Sequence, residues 1–261
     1  MDILRTRVAF RERTLPDVVD LSLRFTVAHA RAYLKVAAAT ILPLVLGTLL
    51  LAREAPPILT WACVFVAVIF AEAPVTILAS RLVFADTVPT RVVLGETLRA
   101  LPKLVLLVVS QLVAVAAATS MLVVPGVWLG VTWHFTFEVL LLERASTFGA
   151  FSRSSRMMNG AFGEAAVALG ARTLIDIAVI VLAEFAGRSL LEDFLQVTPP
   201  QSLWSGGVGV LSLVGVWVWV PFRATLRFFV YLDLRARREG WDIQTRFAAI
   251  AARAEAATEP T

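Results

Sequence analysis

The sequence predicts an all-α polytopic membrane protein with six transmembrane helices in three hairpins, and three observations predict it. Six apolar runs, at roughly 34–52, 58–80, 102–122, 126–142, 166–187 and 207–230, approach the ~20 residues a helix needs to cross a ~30 Å hydrocarbon core. None of the runs alternates polar and apolar residues as a membrane β-strand would. The chain is 58% hydrophobic and 17% charged over 261 residues, with a mean hydropathy of +0.78. A soluble core of this size absorbs one or two such runs, not six.

The whole chain therefore reads as one integral membrane domain. Residues 1–33 form a cytoplasmic or interfacial segment, 34–230 the six-helix bundle, and 231–261 a cytoplasmic C-terminal segment. The first thirty residues carry Arg5, Arg7, Arg11, Arg13 and Arg24 but no continuous apolar core and no small-residue cleavage site, so no signal peptide is expected. Cys63, the single cysteine, excludes an internal disulfide framework, and its place in the second run marks it as a small core residue.

Lys and Arg orient the spans. Of 24 such residues only Arg53 and Arg188 fall in the alternate connections, and the other 22 lie in the N-terminal segment through Lys35, in 81–103, in 144–172 and from Arg223 onward. Basic connections stay in the cytoplasm, and an even number of spans then places both termini there. The pI near 10.0 is accounted for by this topology. A nucleic-acid role needs a compact basic surface and a recognition element, and neither is visible.

The spans come in pairs, each preceded by a polar, partly amphipathic segment. Thr14-Leu15-Pro16-Asp17 opens the first and Thr87-Val88-Pro89-Thr90 the second, each reading as a cap followed by a first-turn proline. Ser146-Thr147-Phe148-Gly149 opens the third. Apolar residues at helical spacing, such as Leu15, Val18, Val19 and Phe25, suit a helix lying along the interface. The pattern fits either a true three-fold repeat of a two-span unit or a generic alternation of hairpins and basic loops. Residues 53–57, with two prolines, make a tight outer turn, and 122–126, ending in Pro125-Gly126, make another. The longer 188–206 connection, with Leu190, Leu191, Phe194 and Leu195 beside Glu192 and Asp193, reads as a short amphipathic surface helix ending before Pro199-Pro200. Pro43, Pro74 and Pro221 each interrupt a span. Gly126-x-x-x-Gly130 and the group Gly206, Gly207 and Gly209 allow close helix approach, within the chain or between copies.

Charged residues inside spans are costly and so carry functional information. Glu72 lies in span 2, Glu138 in span 4, Arg172 and Asp176 in span 5, and Arg223 in span 6. At 1.5 Å per residue, Glu72, Glu138, Arg172 and Arg223 sit roughly 8–12 Å below the cytoplasmic surface. Shared depth predicts a polar network, either a packing brace or the lining of a cavity. His134 shares a helical face with Glu138 and joins the same candidate group. Arg172 and Asp176, one turn apart, read as an intrahelical pair. No metal site is expected, because the other histidine, His29, lies in the N-terminal amphipathic segment. No phosphate loop, zinc-protease helix, nucleophile elbow or CxxC pair is present, so no catalytic residue and no cofactor are assigned.

After the last span comes Tyr231-Leu232-Asp233-Leu234-Arg235-Ala236-Arg237-Arg238-Glu239-Gly240-Trp241-Asp242, denser in paired charge than topology requires. Asp233 and Arg237, like Arg235 and Glu239, are four apart and suit pairing along a helix that Gly240 would end. Beyond it Ile243, Phe247 and Ile250 form one helical face. The segment resembles the terminal signature, Tyr-x-Asp-Leu-Arg-x-Arg-x-Glu-Gly-x-Asp, of a prokaryotic family of multi-pass proteins labelled the membrane domain of glycerophosphoryl diester phosphodiesterase. Leu15 through Tyr33, and Glu143-Arg144 to Arg156, resemble two further stretches of that family. The resemblance implies a prokaryotic plasma-membrane protein of this fold. It does not imply the phosphodiesterase activity, which belongs to a separate catalytic domain for which this chain has no room.

The expected function is a non-enzymatic scaffold or accessory protein contacting membrane lipids, or a membrane or cytoplasmic protein partner, at its cytoplasmic face through Tyr231, Asp233, Arg235, Arg237, Arg238, Glu239, Gly240 and Asp242. The alternative is a transporter or lipid-handling protein with a polar cavity in the inner half of the membrane. The topology is directly measurable. In a Cys63→Ala background, Arg91→Cys should react with a membrane-impermeant maleimide only after the inner face is opened, whereas Ala55→Cys reacts in intact cells. Labelling of Arg91→Cys from outside would reverse the orientation.

Overall fold

The computed structural model describes residues 14–160 and 162–239, which are helical almost throughout and contain no strand. Thr14 starts helix α1 (Leu15–Ala28), where the Asp17 carboxylate accepts from the Thr14 backbone N–H at 3.2 Å and from its hydroxyl at 2.7 Å. The chain turns at His29 into α2 (Ala30–Glu54), and Pro56 starts α3 (Pro57–Leu82). Next come α4 (Thr90–Met121), α5 (Val123–Thr132), α6 (Thr136–Leu142), α7 (Thr147–Met158), α8 (Phe162–Ser189) and α9 (Val210–Glu239). Six segments are long and apolar enough to cross a membrane: α2, α3, α4, α5 with α6, α8 and its extension, and α9. The protein is a multi-pass membrane protein. The described chain starts and ends on the same side, the basic end, because the number of spans is even.

Burial alternates along the chain. Spans 2, 4 and 6 are 61, 50 and 50% buried, whereas spans 1, 3 and 5 are 17, 17 and 6% buried. Each hairpin thus places its second helix inside and its first against lipid. The three-fold pattern raised by the sequence is present at this level, with α3 and α9 at the centre. Polar side chains pin the outer helices to them. The Tyr33 hydroxyl lies 2.8 Å from Thr225 Oγ1, Trp217 Nε1 donates to Thr48 Oγ1 at 3.0 Å, and Trp61 Nε1 donates to the Val208 carbonyl at 3.0 Å. Bonds of this kind contribute roughly 0.6 kcal/mol each between membrane helices.

The amphipathic segments take three different forms. α1 packs Val18 and Phe25 on the bundle, with Phe25 edge-on to Phe229 at 5.1 Å, and leaves Leu23 and Val27 outward. α7 is a separate helix capped by Ser146, whose hydroxyl accepts from Gly149 N at 3.1 Å. The second segment is not separate. It is the first three turns of the 32-residue α4, capped by Pro89 rather than by Thr87. The 188–206 connection also differs from expectation: α8 runs on to Ser189 and continues as one π turn, Leu190–Phe194, with no buried residue. No separate amphipathic helix forms there, because no groove receives its apolar side chains.

Cys63 is exposed rather than in the core. The outer half of α3 buries a single stripe, Thr60, Val64 and Val68, and Cys63 lies off it; only from Ala71 to Ala79 is α3 buried all round. The glycines also divide. A Cβ at Gly126 would lie 2.0 Å from Thr119 Oγ1, so this residue permits the tight α4–α5 turn within the chain, while Gly130 faces open space. Gly206 and Gly209, at φ +80° and +69°, shape the loop before α9 rather than a helix contact. Gly215 lets α8 and α9 approach closely, because a Cβ there would run into the Ala183 methyl across their seam. Gly215→Leu should therefore cost about 1–3 kcal/mol by overpacking, read as a lower unfolding temperature in micelles. Gly130→Ala should leave the temperature unchanged or raise it.

Candidate functional site

Glu72 is the centre of the charged group. It lies two residues before Pro74, where α3 is buried on every face, and its side chain is 1% exposed. An isolated carboxylate is not tolerated at such a position, and three arginines answer it. Arg223 Nε lies 3.0 Å and Arg172 NH2 3.5 Å from Glu72 Oε1, and Arg227 NH1 donates to Oε2 at 3.1 Å. Arg172 comes from α8; Arg223 and Arg227 come from successive turns of α9.

Two further carboxylates complete the group. Asp176 lies 3.8 Å from Arg172 Nε and 3.3 Å from Arg223 Nε, and it accepts from Trp219 Nε1 at 2.9 Å. The expected intrahelical pair is thus one edge of a four-residue contact. Glu138, fully buried on α6, lies 2.5 Å from Arg227 Nε, but neither of its oxygens has an aligned hydrogen-bond partner. Its close partner is the Arg227 guanidinium. With three guanidinium groups and three carboxylates, the group sums to zero.

Sequence reasoning placed Glu72, Glu138, Arg172, Asp176 and Arg223 together and missed Arg227, the most connected member. By sequence Arg227 falls at the end of the sixth run, within the basic group that starts at Arg223. The signal was available, since Arg223 and Arg227 are four apart and share a face. Arg227 uses all three nitrogens: NH1 on Glu72, Nε on Glu138, and NH2 on the His134 carbonyl at 2.7 Å, with the guanidinium carbon 5.0 Å from the Phe137 ring centroid. A rigid planar fork makes this multiple contact available, which lysine cannot match.

His134 enters through its backbone rather than as a ligand. Span 4 is not continuous: α5 ends at Thr132 and α6 starts at Thr136. The break leaves carbonyls to satisfy, and side chains from three helices take them. Ser154 of α7 donates to Thr132 O at 2.8 Å, Gln111 of α4 to Trp133 O at 3.4 Å, and Arg227 of α9 to His134 O. The His134 ring packs edge-on to Phe135 at 4.8 Å. Among the described residues no group of three His, Cys, Asp or Glu side chains is placed to hold a metal.

Two other ionic clusters frame the bundle. At the outer end, Glu184 was not singled out by sequence, although an acid four residues from Arg188 in an apolar run was a visible signal. It is 1% exposed and accepts from Arg188 Nε at 3.0 Å, Leu203 N at 3.3 Å, and both the backbone N–H and hydroxyl of Ser212. It therefore ties the 190–209 connection and the start of α9 to α8. At the basic end, the Tyr231 hydroxyl donates to Glu143 Oε1 at 2.6 Å, while Arg235 lies 3.5 Å and Arg153 3.2 Å from the same carboxylate.

That cluster alters the meaning of the terminal segment. Tyr231 is fully buried, so it does not present itself to a partner. Arg235 reaches back to the bundle and also lies 3.4 Å from the Tyr231 hydroxyl. Asp233 lines a cleft between α1, α8 and α9 at the same end. The side chains of Arg237, Arg238 and Glu239 lie outside the described residues, as do Gly240, Asp242 and the face formed by Ile243, Phe247 and Ile250. The Asp233–Arg237 and Arg235–Glu239 pairs fall outside with them. No protein-family model, no curated protein and no solved structure matches the chain.

The network predicts an asymmetric response to removing its acids. Glu72→Ala removes the carboxylate that three arginines share, leaves them with Asp176 and Glu138 alone, and should cost about 3–5 kcal/mol, the range for breaking a buried pair, measured by reversible unfolding in mixed micelles. Glu138→Gln removes one misaligned contact and should cost clearly less. Equal losses would show that Glu72 is not the centre.

Proposed function

We propose that this protein is a non-enzymatic membrane scaffold or accessory subunit of a prokaryotic plasma membrane, with its basic end in the cytoplasm contacting a lipid or protein partner. The observation that carries this reading is the self-neutralising network. Three arginines and three carboxylates answer one another across α3, α6, α8 and α9, and the arrangement behaves as a brace that fixes the bundle. Brace and contact surface are then separate parts. The first lies within the membrane and the second at the basic end, where α1 packs on α9 and Glu143 links α7 to the end of α9.

The resemblance of residues 231–242 to the terminal signature of the glycerophosphoryl diester phosphodiesterase membrane-domain family supports the same reading. Two of the stretches that carry that resemblance meet at one carboxylate, with Tyr231 and Arg235 from one and Glu143 and Arg153 from the other. The signature is then a structural junction that shapes the basic face, a role that demands no chemistry.

The second reading, a transporter or lipid-handling protein, is favoured by one feature: the discontinuous span 4 beside buried charges, a pattern found at transporter sites. Proteoliposomes loaded with a pH-indicating dye separate the two. Under an imposed pH gradient the scaffold should leak protons no faster than empty liposomes. A flux abolished by Glu138→Gln would replace the scaffold reading with the second one.

A further inference from the structure

The charged group is enclosed on one side and open on the other. Side-chain exposure rises from 0% at Glu138 and 1% at Glu72, through 12% at Arg227 and 13% at Arg172, to 20% at Arg223 and 23% at Asp176. The open edge is therefore where Asp176 of α8 meets Arg223 of α9. Trp219, one turn from Arg223, donates to Asp176 at this edge, and Phe222 packs beside Trp219 with ring centroids 4.5 Å apart.

Hydrogen bonding separates Arg223 from the other two arginines. Arg227 spreads its three nitrogens over Glu72, Glu138 and the His134 carbonyl, and Arg172 donates to Glu72. Arg223 Nε approaches Glu72 at 3.0 Å and Asp176 at 3.3 Å. Yet among the described residues no acceptor is aligned to take a hydrogen bond from Arg223. Nε itself is enclosed, so the exposed fifth of the side chain lies on its other atoms. NH1 and NH2, which carry four of the five guanidinium N–H donors, thus stand at the open edge. A donor left without an acceptor where bulk water is absent is costly, and it draws in whatever acceptor the surroundings offer.

Those surroundings are lipid. α8 is the least buried span, at 6%, and Leu174 and Ile177, which flank Asp176 in sequence, are exposed. The open edge is therefore continuous with the lipid-facing surface of α8. Arg223 lies roughly 8–12 Å from the basic-end surface, and headgroups fill roughly the first 5–8 Å of that depth. Its guanidinium is within a side-chain length of the glycerol and phosphate level, and arginines at such depths snorkel toward it. A phosphodiester offers two oxygens that match the planar guanidinium fork. We propose that the open edge of the network binds the phosphodiester of a phospholipid from the leaflet at the basic end, with Arg223 NH1 and NH2 as the donors. The site lies within the membrane, apart from the basic-end contact surface, so it adds a lipid ligand to the scaffold reading without resting on it.

The test uses the full chain in nanodiscs with equal amounts of phosphatidylcholine and a glucosyl diacylglycerol of the same acyl chains. Both lipids are neutral overall, and only the first has a phosphate. A photoreactive benzoylphenylalanine replaces Phe222 at the edge, and in a second sample it replaces Leu106. That control residue is exposed on α4, next to Leu107, which packs in one cluster with Ala73 near the level of Glu72. Mass spectrometry of the adducts should show phosphatidylcholine over glycolipid on the order of tenfold from position 222, the equivalent of one charge-assisted hydrogen bond. Position 106 should give the two lipids near parity. Arg223→Lys, whose single ammonium is taken up by Glu72 and Asp176, should bring position 222 to parity. Glu72→Gln with Arg223→Gln, which keeps the network neutral, should do the same, and replaces it if the lysine variant unfolds at a lower temperature. Parity at 222 in the parent chain, the same enrichment at 106, or a preference that survives both variants would overturn the proposal. So would adducts to a second copy, or no adduct, in place of lipid. Enrichment together with a Glu138-dependent proton flux would sink the scaffold reading alone, and no enrichment without flux would sink the lipid site alone.

Discussion

Glu72 sets the terms on which this bundle assembles. A carboxylate that is fully buried at membrane depth has no water to solvate it, and its cost falls only when cations and donors surround it. Here the cations come from two other helices, so α3 can reach its place only if α8 and α9 reach theirs. The arginines face the same constraint in reverse. Each is bound to at least one carboxylate, and Arg227 also takes a carbonyl. Ion pairing of this kind contributes less to stability than the Coulomb attraction suggests, because desolvation offsets much of it. Its stronger effect is on specificity, since any other register of α8 against α9 would leave unpaired charge in lipid.

The break in span 4 belongs to the same arrangement. A continuous helix through Trp133–Phe135 would have kept the His134 carbonyl in its own ladder and denied it to Arg227. The interruption offers Arg227 an acceptor and places Glu138 on the following turn at its Nε. Backbone freed inside a membrane must find partners within the protein: Ser154 of α7 answers Thr132 O, while Thr136 itself and Gln111 of α4 answer Trp133 O. One irregularity therefore links four elements. The smaller clusters at Glu184 and Glu143 do comparable work at the two ends, joining the outer connection to α8 and the basic-end segments to each other. The bundle is tied at three levels.

Much of the architecture was legible in the sequence. Run length and composition gave the six spans, since crossing a hydrocarbon layer demands apolar length whatever the neighbours are. Thr14-x-Pro16 gave the start of α1, because capping is a local matter of a few residues. Cost was also readable: Glu72, Glu138, Arg172, Asp176 and Arg223 stood out as charges in apolar runs, and they do meet. Arg227 and Glu184 escaped because each lies near a span end, where a charge is ordinary, and its burial depends on what packs over it. Cys63 went wrong for the related reason that position within an apolar run does not say whether lipid or protein faces it.

The sequence by itself determined that the chain crosses a membrane six times and that its interior charges lie at similar depth, because period, length and transfer cost are properties of each segment alone. Only the tertiary structure decided which helices are central, that span 4 breaks so that the His134 carbonyl meets Arg227, that Tyr231 turns inward onto Glu143, and that a cleft opens between α1, α8 and α9. In a membrane every helix is apolar on the side facing lipid and often on the side facing protein, so hydrophobicity ceases to distinguish them. What remains to choose the arrangement is the matching of a few polar groups from distant parts of the chain, and that matching exists only once the helices are side by side.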